Sequence, residues 1–399
     1  MSSTTTTTTT PHRFRESDCD VAEFARLLDR TTDLADYPHA VEVAQDVLIY
    51  DAARLREAVV DEAGREAVEG ELVRALTDGP GVVVLRGAFP DLGVVDRVTA
   101  AFDAMIAREK ADGTAKGDHF AKAGANDRVW NALEKLAVAD PDAFVDYYAN
   151  DVLALISTAW LGPGYQVTSQ VNVVRPGGKA QDPHRDYHLG FLSNAVAARY
   201  PRHVHLLSPV LTLQGAVAHS DMPVESGPTL YLPYSHQYPQ GYLAWRRPEF
   251  RAYFAEHHVQ LPLRKGDAAF FNPALFHGAG SNVSADVQRV ANLLQVSSAF
   301  GRAMETVDRV KTAKAVYPAL AARQAAGLDP ALLAHAVTAA SEGYPFPTNL
   351  DLDPNVDGLT PLSQSELLHR ALSQGWDTAA VSAALDAYAT RHRTDDIGG

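Results

Sequence analysis

The chain has 399 residues, long enough to bury a substantial core in one large domain or two ordinary ones. Hydrophobic residues make up 46% and charged residues 21%, which excludes a fibrous or wholly disordered chain. A formal net charge of -14 argues against nucleic acid or an anionic membrane as partner, since both reward clustered lysine and arginine.

Cys19 is the sole cysteine, so no intrachain disulfide and no thiolate metal cluster can form. A reducing cytoplasm is the compartment this suggests. Residues 1–15 are a threonine-rich polar head without the apolar run of a signal peptide, and the reading is a disordered segment. No apolar stretch is long enough to span a bilayer.

Along the chain, residues 20–37 suggest one or two short helices. Leu55, Val59, Val60, Ala67, Val73 and Leu76 recur at helical spacing and predict one helix over residues 52–77. Gly79-Pro80-Gly81 ends it, and Val82-Val83-Val84-Leu85 reads as a buried strand. A second helix is expected over 91–110, a loop over 111–128 and a third helix over 140–160, begun by Asp140-Pro141. Beyond Gly164 the texture changes. Residues 165–174, 206–218, 229–232, 268–271 and 287–297 are β-rich runs without long helices between them, which indicates an antiparallel barrel or sandwich. Helices return at 310–324, 330–340, 363–373 and 378–390, the third opened by the capping-box pattern Ser363-Gln364-Ser365-Glu366. The fold class is thus α+β, a helical layer followed by a β core and a helical C-terminal extension. The tail over 391–399 is expected to fray.

The chemistry concentrates in Gln181-Asp182-Pro183-His184-Arg185-Asp186-Tyr187-His188. On a strand, His184 and Asp186 would share a face. They would supply two-thirds of a 2-His-1-carboxylate site, the ligand set of non-haem Fe(II) oxygenases. His277, between a strand and a glycine-rich loop, is the candidate for the missing histidine. Twelve residues later Arg289 stands in an alternating run, sharing a face with Ala291, Leu293 and Gln295. A guanidinium aimed into a barrel needs an anion, and its fork matches a carboxylate.

The order His184-x-Asp186, His277, Arg289 resembles the phytanoyl-CoA dioxygenase (PhyH-like) branch of the Fe(II)/2-oxoglutarate-dependent oxygenases. The run Gly81 to Gly87, the segment Ser226-Gly227-Pro228 to Pro233-Tyr234-Ser235-His236, and Gly266-Asp267 leading to His277-Gly278 support it. The resemblance covers roughly residues 75–300. It implies a double-stranded β-helix (jelly roll, cupin-like) core with N-terminal helices packed on it, so residues 16–305 are expected to form the oxygenase domain. Residues 306–399, which it leaves unexplained, are expected to form a lid or a subunit contact in a possible homo-oligomer. It further implies that His184, Asp186 and His277 hold Fe(II), that Arg289 takes the distal carboxylate of 2-oxoglutarate, and that dioxygen is consumed. Gln170 and Asn172 match positions that touch the co-substrate or line its pocket, and Ser281 is a weaker candidate of that kind. Asp186 stands where halogenating relatives carry a small residue, so hydroxylation of a small-molecule metabolite is the expected outcome. Desaturation, ring closure or epimerisation at the same site, and a non-catalytic jelly-roll binding protein, are the alternatives. Among neighbouring residues, His188 is read as a supporting or substrate-facing group, His203 and His205 as strand surface, His236 as a loop-shaping residue and Arg246-Arg247 as a solvated face. Tyr187, Phe191 and Trp245 are read as pocket lining or apolar packing.

Overall fold

The computed structural model describes residues 11–114, 126–355 and 358–394. The first half runs α1 (Val21–Leu28), β1 (Glu42–Ala44), β2 (Val47–Asp51), α2 (Ala52–Ala58), α3 (Glu62–Thr77), β3 (Val82–Arg86), α4 (Leu92–Ala111), β4 (Asn126–Val129), α5 (Ala132–Ala139), α6 (Pro141–Tyr148) and α7 (Asp151–Leu161). It continues with β5 (Gln166–Val174), α8 (Asn194–Ala197), α9 (Arg202–Leu207), β6 (Thr212–Ala218), β7 (Thr229–Leu232), α10 (Gly241–Ala244), α11 (Pro248–His257), β8 (Val259–Gln260), β9 (Ala268–Phe271), β10 (Phe276–Ala279) and β11 (Arg289–Ser297). The end is α12 (Arg309–Ala325), α13 (Pro330–Ala340), α14 (Gln364–Ser373) and α15 (Thr378–Arg391). No described helix is long and apolar enough to cross a membrane.

Two sheets face each other. The major one has eight strands in the order β1-β2-β3-β9-β6-β11-β5-β4, antiparallel except for β2 with β3. The minor one is β10-β7-β8. This agrees with the jelly-roll core that the sequence led us to expect. Alternation in the major strands sorts side chains by face. Val167, Val171 and Val173 of β5, Leu213 and Val217 of β6, and Val290, Leu294 and Val296 of β11 join the helices in one large apolar core. The intervening Gln170, Asn172, Gln214, Arg289, Ala291, Leu293 and Gln295 line a cavity on the other face. One strand period therefore builds both the core and the cavity wall.

Helix capping explains where the predicted helices differ. Residues 52–77 form two helices, because Asp61 accepts a hydrogen bond from Gly64 N and starts α3 anew. Residues 140–160 likewise divide where Asn150 accepts from Val152 N and Leu153 N. The expected loop over 111–128 holds β4 at its end, and its residues 115–125 lie outside the described ones. The capping box at Ser363 and Glu366 is formed as read. Arg391, placed in a frayed tail, closes α15 and pairs with Asp353 at 2.9 Å.

The C-terminal helices pack on the helical layer. α12 packs on α5, α6, α13 and α15, and residues of all four C-terminal helices belong to the main apolar core. Arg309 of α12 donates to Val167 O of β5 and Ala339 O of α13, both at 2.7 Å. Among the described residues, none beyond Met304 lines the cavity. Nor is the head disordered up to residue 15. Phe14 is 1% exposed, stands edge-on to His205 and lies under Arg202. Residues 1–10 lie outside the described ones.

His219, just after β6, ties the sheet to two helices through Thr99 Oγ1 on its Nδ1 (2.8 Å) and Tyr147 OH on its Nε2 (2.9 Å). Burial pushes its imidazole down to about 3. The folded state therefore favours the neutral ring. That stability is complete above the unfolded value near ~6.5 and is lost as pH falls from there towards the folded value. His219→Gln is expected to be less stable than wild type near neutrality but to lose less stability on acidification, as urea unfolding at two pH values will show. Phe14→Ala is expected to destabilise the chain by about 3 kcal/mol in the same assay; an unchanged midpoint would mean that residues 11–15 do not pack.

Candidate metal centre

His184 and Asp186 do not lie on a regular strand, as the sequence reading supposed. His184 forms an isolated antiparallel bridge with His277, His184 N donating to His277 O (2.9 Å) and His277 N to His184 O (3.2 Å). Two residues on, Asp186 N donates to Pro273 O at 3.0 Å. The ladder stops there and the chain turns sharply. Tyr187 and His188 have φ of 62° and 42°, values that side-chain-bearing residues rarely adopt. Such strain collects at functional loops. His277 itself lies on β10, held in register by Tyr231 of β7.

The result is that His184, Asp186 and His277 converge, their ligand atoms all within 4.8 Å of one another. His184 Nε2 is 3.5 Å from Asp186 Oδ1, and His277 Nε2 is 3.4 Å from Oδ2. His184 Nδ1 lies 2.9 Å from Asp182 O, and His277 Nδ1 lies 2.9 Å from Leu275 O. A carbonyl only accepts, so each Nδ1 carries its hydrogen and each neutral ring keeps its lone pair on Nε2. Both lone pairs thus face the carboxylate, the arrangement a cation requires of histidine ligands. Gln214 Nε2 donates to Asp186 Oδ2 and fixes that carboxylate. Burial raises the Asp186 carboxyl, but His184 and His277 together hold it well below the usual range. Burial and the neighbouring His184 push His277 down, which favours its neutral, ligating form. Burial lowers His184, but the neighbouring Asp186 carboxylate raises it above its ordinary value, so this ring gives up a proton when a cation binds. Two preorganised nitrogens and one carboxylate oxygen suit a divalent first-row metal.

The centre opens into a cavity of about 650 Å³ between the two sheets. Arg289 lines it from β11, 5% exposed, and no carboxylate among the described residues pairs with it. Burial pushes its guanidinium down to about 10, which marks a cation short of an anion. Cross-strand pairing sets Asn172 opposite Ala291 and Gln170 opposite Leu293 on the same wall. Asn172 Oδ1 is buried with no donor.

Other sequence expectations meet different fates. Ser281 is exposed and outside the cavity lining; its hydroxyl accepts from Ala180 N at 2.9 Å and shapes a turn. His188 and Tyr187 do not line the cavity, His188 Nδ1 instead meeting Ser208 Oγ at 3.1 Å. His205 is not strand surface but a buried residue of α9, packed on Phe14; His203 of the same helix is exposed. Arg246 and Arg247 are engaged rather than solvated. Arg246 lies 3.8 Å over Trp245 and donates to Gly190 O, while Arg247 donates to Glu16 O and Cys19 O. Phe191 and Trp245 do line the cavity, and Trp245 is edge-on to His184 at 6.4 Å. His236 shapes a loop, its Nε2 against Thr77 O at 2.8 Å. Gln214 and Arg128 escaped the sequence reading. A polar residue alternating with Leu213 and Gly215 was the signal for the first. Arg128, assigned to a loop, stands on β4 and donates to Gln170 Oε1 at 2.7 Å.

Comparison with known proteins gives the context. The family model described as phytanoyl-CoA dioxygenase (PhyH) matches residues 77–291, more than half of the chain. No curated protein matches it. Among solved structures, the non-heme alpha ketoglutarate dependent epimerase SnoN from nogalamycin biosynthesis is 23% identical, covering 60% of this chain and 84% of its own, with a TM-score of 0.41. AviO1 from Streptomyces viridochromogenes Tue57 is 17% identical over 61% of this chain and 98% of its own, TM-score 0.42. The carbocyclase SnoK from nogalamycin biosynthesis is 22% identical over 59% and 86%, TM-score 0.40. The family match runs from the end of α3 into the start of β11 and so takes in His184, Asp186, His277 and Arg289. On that match the chain belongs to the phytanoyl-CoA dioxygenase (PhyH) family.

Proposed function

We propose that this chain is an Fe(II)- and 2-oxoglutarate-dependent dioxygenase that hydroxylates an unactivated C–H bond of a small-molecule metabolite. The observation that carries the reading is the pairing of two opposed features in one cavity. His184, Asp186 and His277 present two lone pairs and a carboxylate on one side, and Arg289 presents an uncompensated cation on the other wall. A dicarboxylate that chelates the metal and reaches Arg289 satisfies both.

In this reading His184 Nε2, His277 Nε2 and Asp186 hold Fe(II). Bound iron and 2-oxoglutarate supply the oxidising power: dioxygen is consumed, one oxygen atom enters the substrate, the other enters succinate, and carbon dioxide leaves. Everything else is done by the chain. Gln214 keeps Asp186 aimed at the metal. Arg289 forks onto the distal carboxylate with charge-assisted hydrogen bonds. Gln170 and Asn172 flank that carboxylate's path from β5. Met222, Leu263 and Ala291 form an apolar patch beside it that keeps water from the reacting groups. A cavity of about 650 Å³ suits a small metabolite. The other lining arginines are already engaged, Arg128 by Gln170, Arg185 by Ser235 O and Tyr238 O, and Arg251 by Asp182, so the phosphates of a coenzyme A ester find no free cluster. Asp186 occupies the position a halide would need, which favours hydroxylation.

Under anaerobic conditions, Fe(II) followed by 2-oxoglutarate is expected to give a weak visible absorption band, lost in His277→Ala. Folded wild-type protein that takes up no iron would overturn the reading in favour of a jelly-roll binder. Arg289→Ala is expected to raise the 2-oxoglutarate requirement about 10- to 100-fold, the equivalent of about 1.5–3 kcal/mol for hydrogen bonds to a charged group. Succinate release with a candidate substrate, and a product carrying one added oxygen by mass, identify hydroxylation; a product with no added oxygen would point to epimerisation, ring closure or desaturation.

A further inference from the structure

Arg185 separates the two ligands His184 and Asp186 in sequence, yet its side chain touches neither. It is 2% exposed and runs into the segment that follows β7. There its Nη2 donates to Ser235 O and to Tyr238 O, the latter at 3.0 Å. The guanidinium lies 5.2 Å over the Tyr242 ring and 5.2 Å over the Phe276 ring. No carboxylate among the described residues pairs with it. A guanidinium buried without a counter-charge is costly by several kcal/mol, and a well-packed apolar side chain would fill the same space more cheaply. Its presence there calls for a role that needs the fork.

The partner side of that fork is informative. Ser235 O accepts from Arg185, while Ser235 Oγ accepts from Phe276 N at 2.7 Å and donates to Leu232 O at 2.6 Å. Phe276 is the residue before His277. One serine therefore ties the His184–Asp186 loop to the strand that carries the third ligand. This gives the Pro233-Tyr234-Ser235-His236 motif a physical task that the cavity does not explain. Gly241 completes the fit: a Cβ there would sit 1.8 Å from the Arg185 Cζ, so this position leaves no room for a side chain. From the other side α1 braces the segment, Asp20 N donating to Tyr238 OH at 2.8 Å and Phe24 packing against Tyr238 and Phe276.

We infer that Arg185 is a positioning residue: through Ser235 and Tyr238 it locks the two ligand-bearing segments into the geometry that the metal requires. The inference rests on the proposed metal site but goes beyond it, since Arg185 contributes no ligand. The loop it pins passes directly into the strained conformations of Tyr187 and His188. Without the lock, that turn relaxes and the angle between His184 and Asp186 becomes variable.

The test is a Co(II) titration of the full-length apo-protein under nitrogen, read by visible absorption, with near-ultraviolet circular dichroism to verify folding. Wild type is compared with Arg185→Met, Arg185→Lys and Gly241→Ala, and with Gly70→Ala as control, since a Cβ at position 70 meets nothing within 4 Å. Arg185→Met and Gly241→Ala are expected to weaken Co(II) binding about 10- to 100-fold, the usual effect of losing a residue that orients ligands, and to change the shape of the visible band. Arg185→Lys, which keeps the charge and one donor group, is expected to fall between them and wild type. The control is expected to match wild type. A folded Arg185→Met or Gly241→Ala with wild-type affinity and spectrum would overturn the inference. Should neither fold, Arg185→Lys decides, and wild-type behaviour there overturns it as well. Failure of wild type itself to bind Co(II) would bring down the metal-site reading and this inference with it, whereas binding that the variants leave unaltered would refute the inference alone.

Discussion

Two backbone hydrogen bonds between His184 and His277 are the constraint on which the site depends. They join residues 93 positions apart, and single bonds from Gln181 N to Ala279 O and from Asp186 N to Pro273 O flank them on either side. The local geometry follows from that bridge and the two bonds that flank it. The two imidazoles come within 4.4 Å, ring centre to ring centre, and their Nδ1 atoms are each turned onto a carbonyl two residues back in the chain. Asp186, one pleat further on, then has only one place to go. Metal ligation needs three groups from distant sequence held to fractions of an ångström, and backbone bonding supplies this more stiffly than side-chain packing could.

The polar wall opposite obeys a second constraint, the pleat of the major sheet. Strands buried on both faces normally read as continuous apolar runs. Here β5, β6 and β11 interleave apolar residues with the buried Gln170, Asn172, Arg289 and Gln295 and the half-buried Gln214. Buried amides and a buried guanidinium without full partners are destabilising in isolation. A helical layer of large apolar area behind the sheet makes that tolerable. In the function proposed above, a bound dicarboxylate completes that polar wall.

How much of this was legible beforehand divides along the same lines. The β-rich middle and the C-terminal helices were readable because period and turn residues are local signals, whereas the jelly-roll core was implied by the resemblance to the phytanoyl-CoA dioxygenase family. His277 was readable as a candidate from its place between a strand and a glycine-rich loop, and Arg289 from its place in an alternating run. The division of long helices at Asp61 and Asn150 was written in the sequence as capping residues but was outweighed by continuous periodicity. What was hidden depended on distant partners. Ser281 looked like a pocket residue and proved to serve a turn, since only the fold brings Ala180 N to it. His205, Arg246 and Arg247 looked solvated and proved to be covered by the N-terminal segment and the loop around Gly190. The His-x-Asp segment was expected on a strand and reached its geometry by one bridge and a turn. Burial by remote chain leaves no mark in the sequence of the residue buried.

Arg309 shows what the C-terminal helices mean for the family to which the chain belongs. It reaches from α12 to the backbone of β5 and so bolts the last hundred residues onto the back of the strand that carries Gln170 and Asn172. The likeness to the family ends near residue 291, but the cooperative unit does not. A chain cut after β11 would leave α5, α6 and the outer side of the sheet wet, so the edge of the shared ancestry and the edge of the folding unit are different boundaries. The C-terminal helices thus thicken the wall behind the centre, while the described residues beyond Met304 leave the cavity lining untouched.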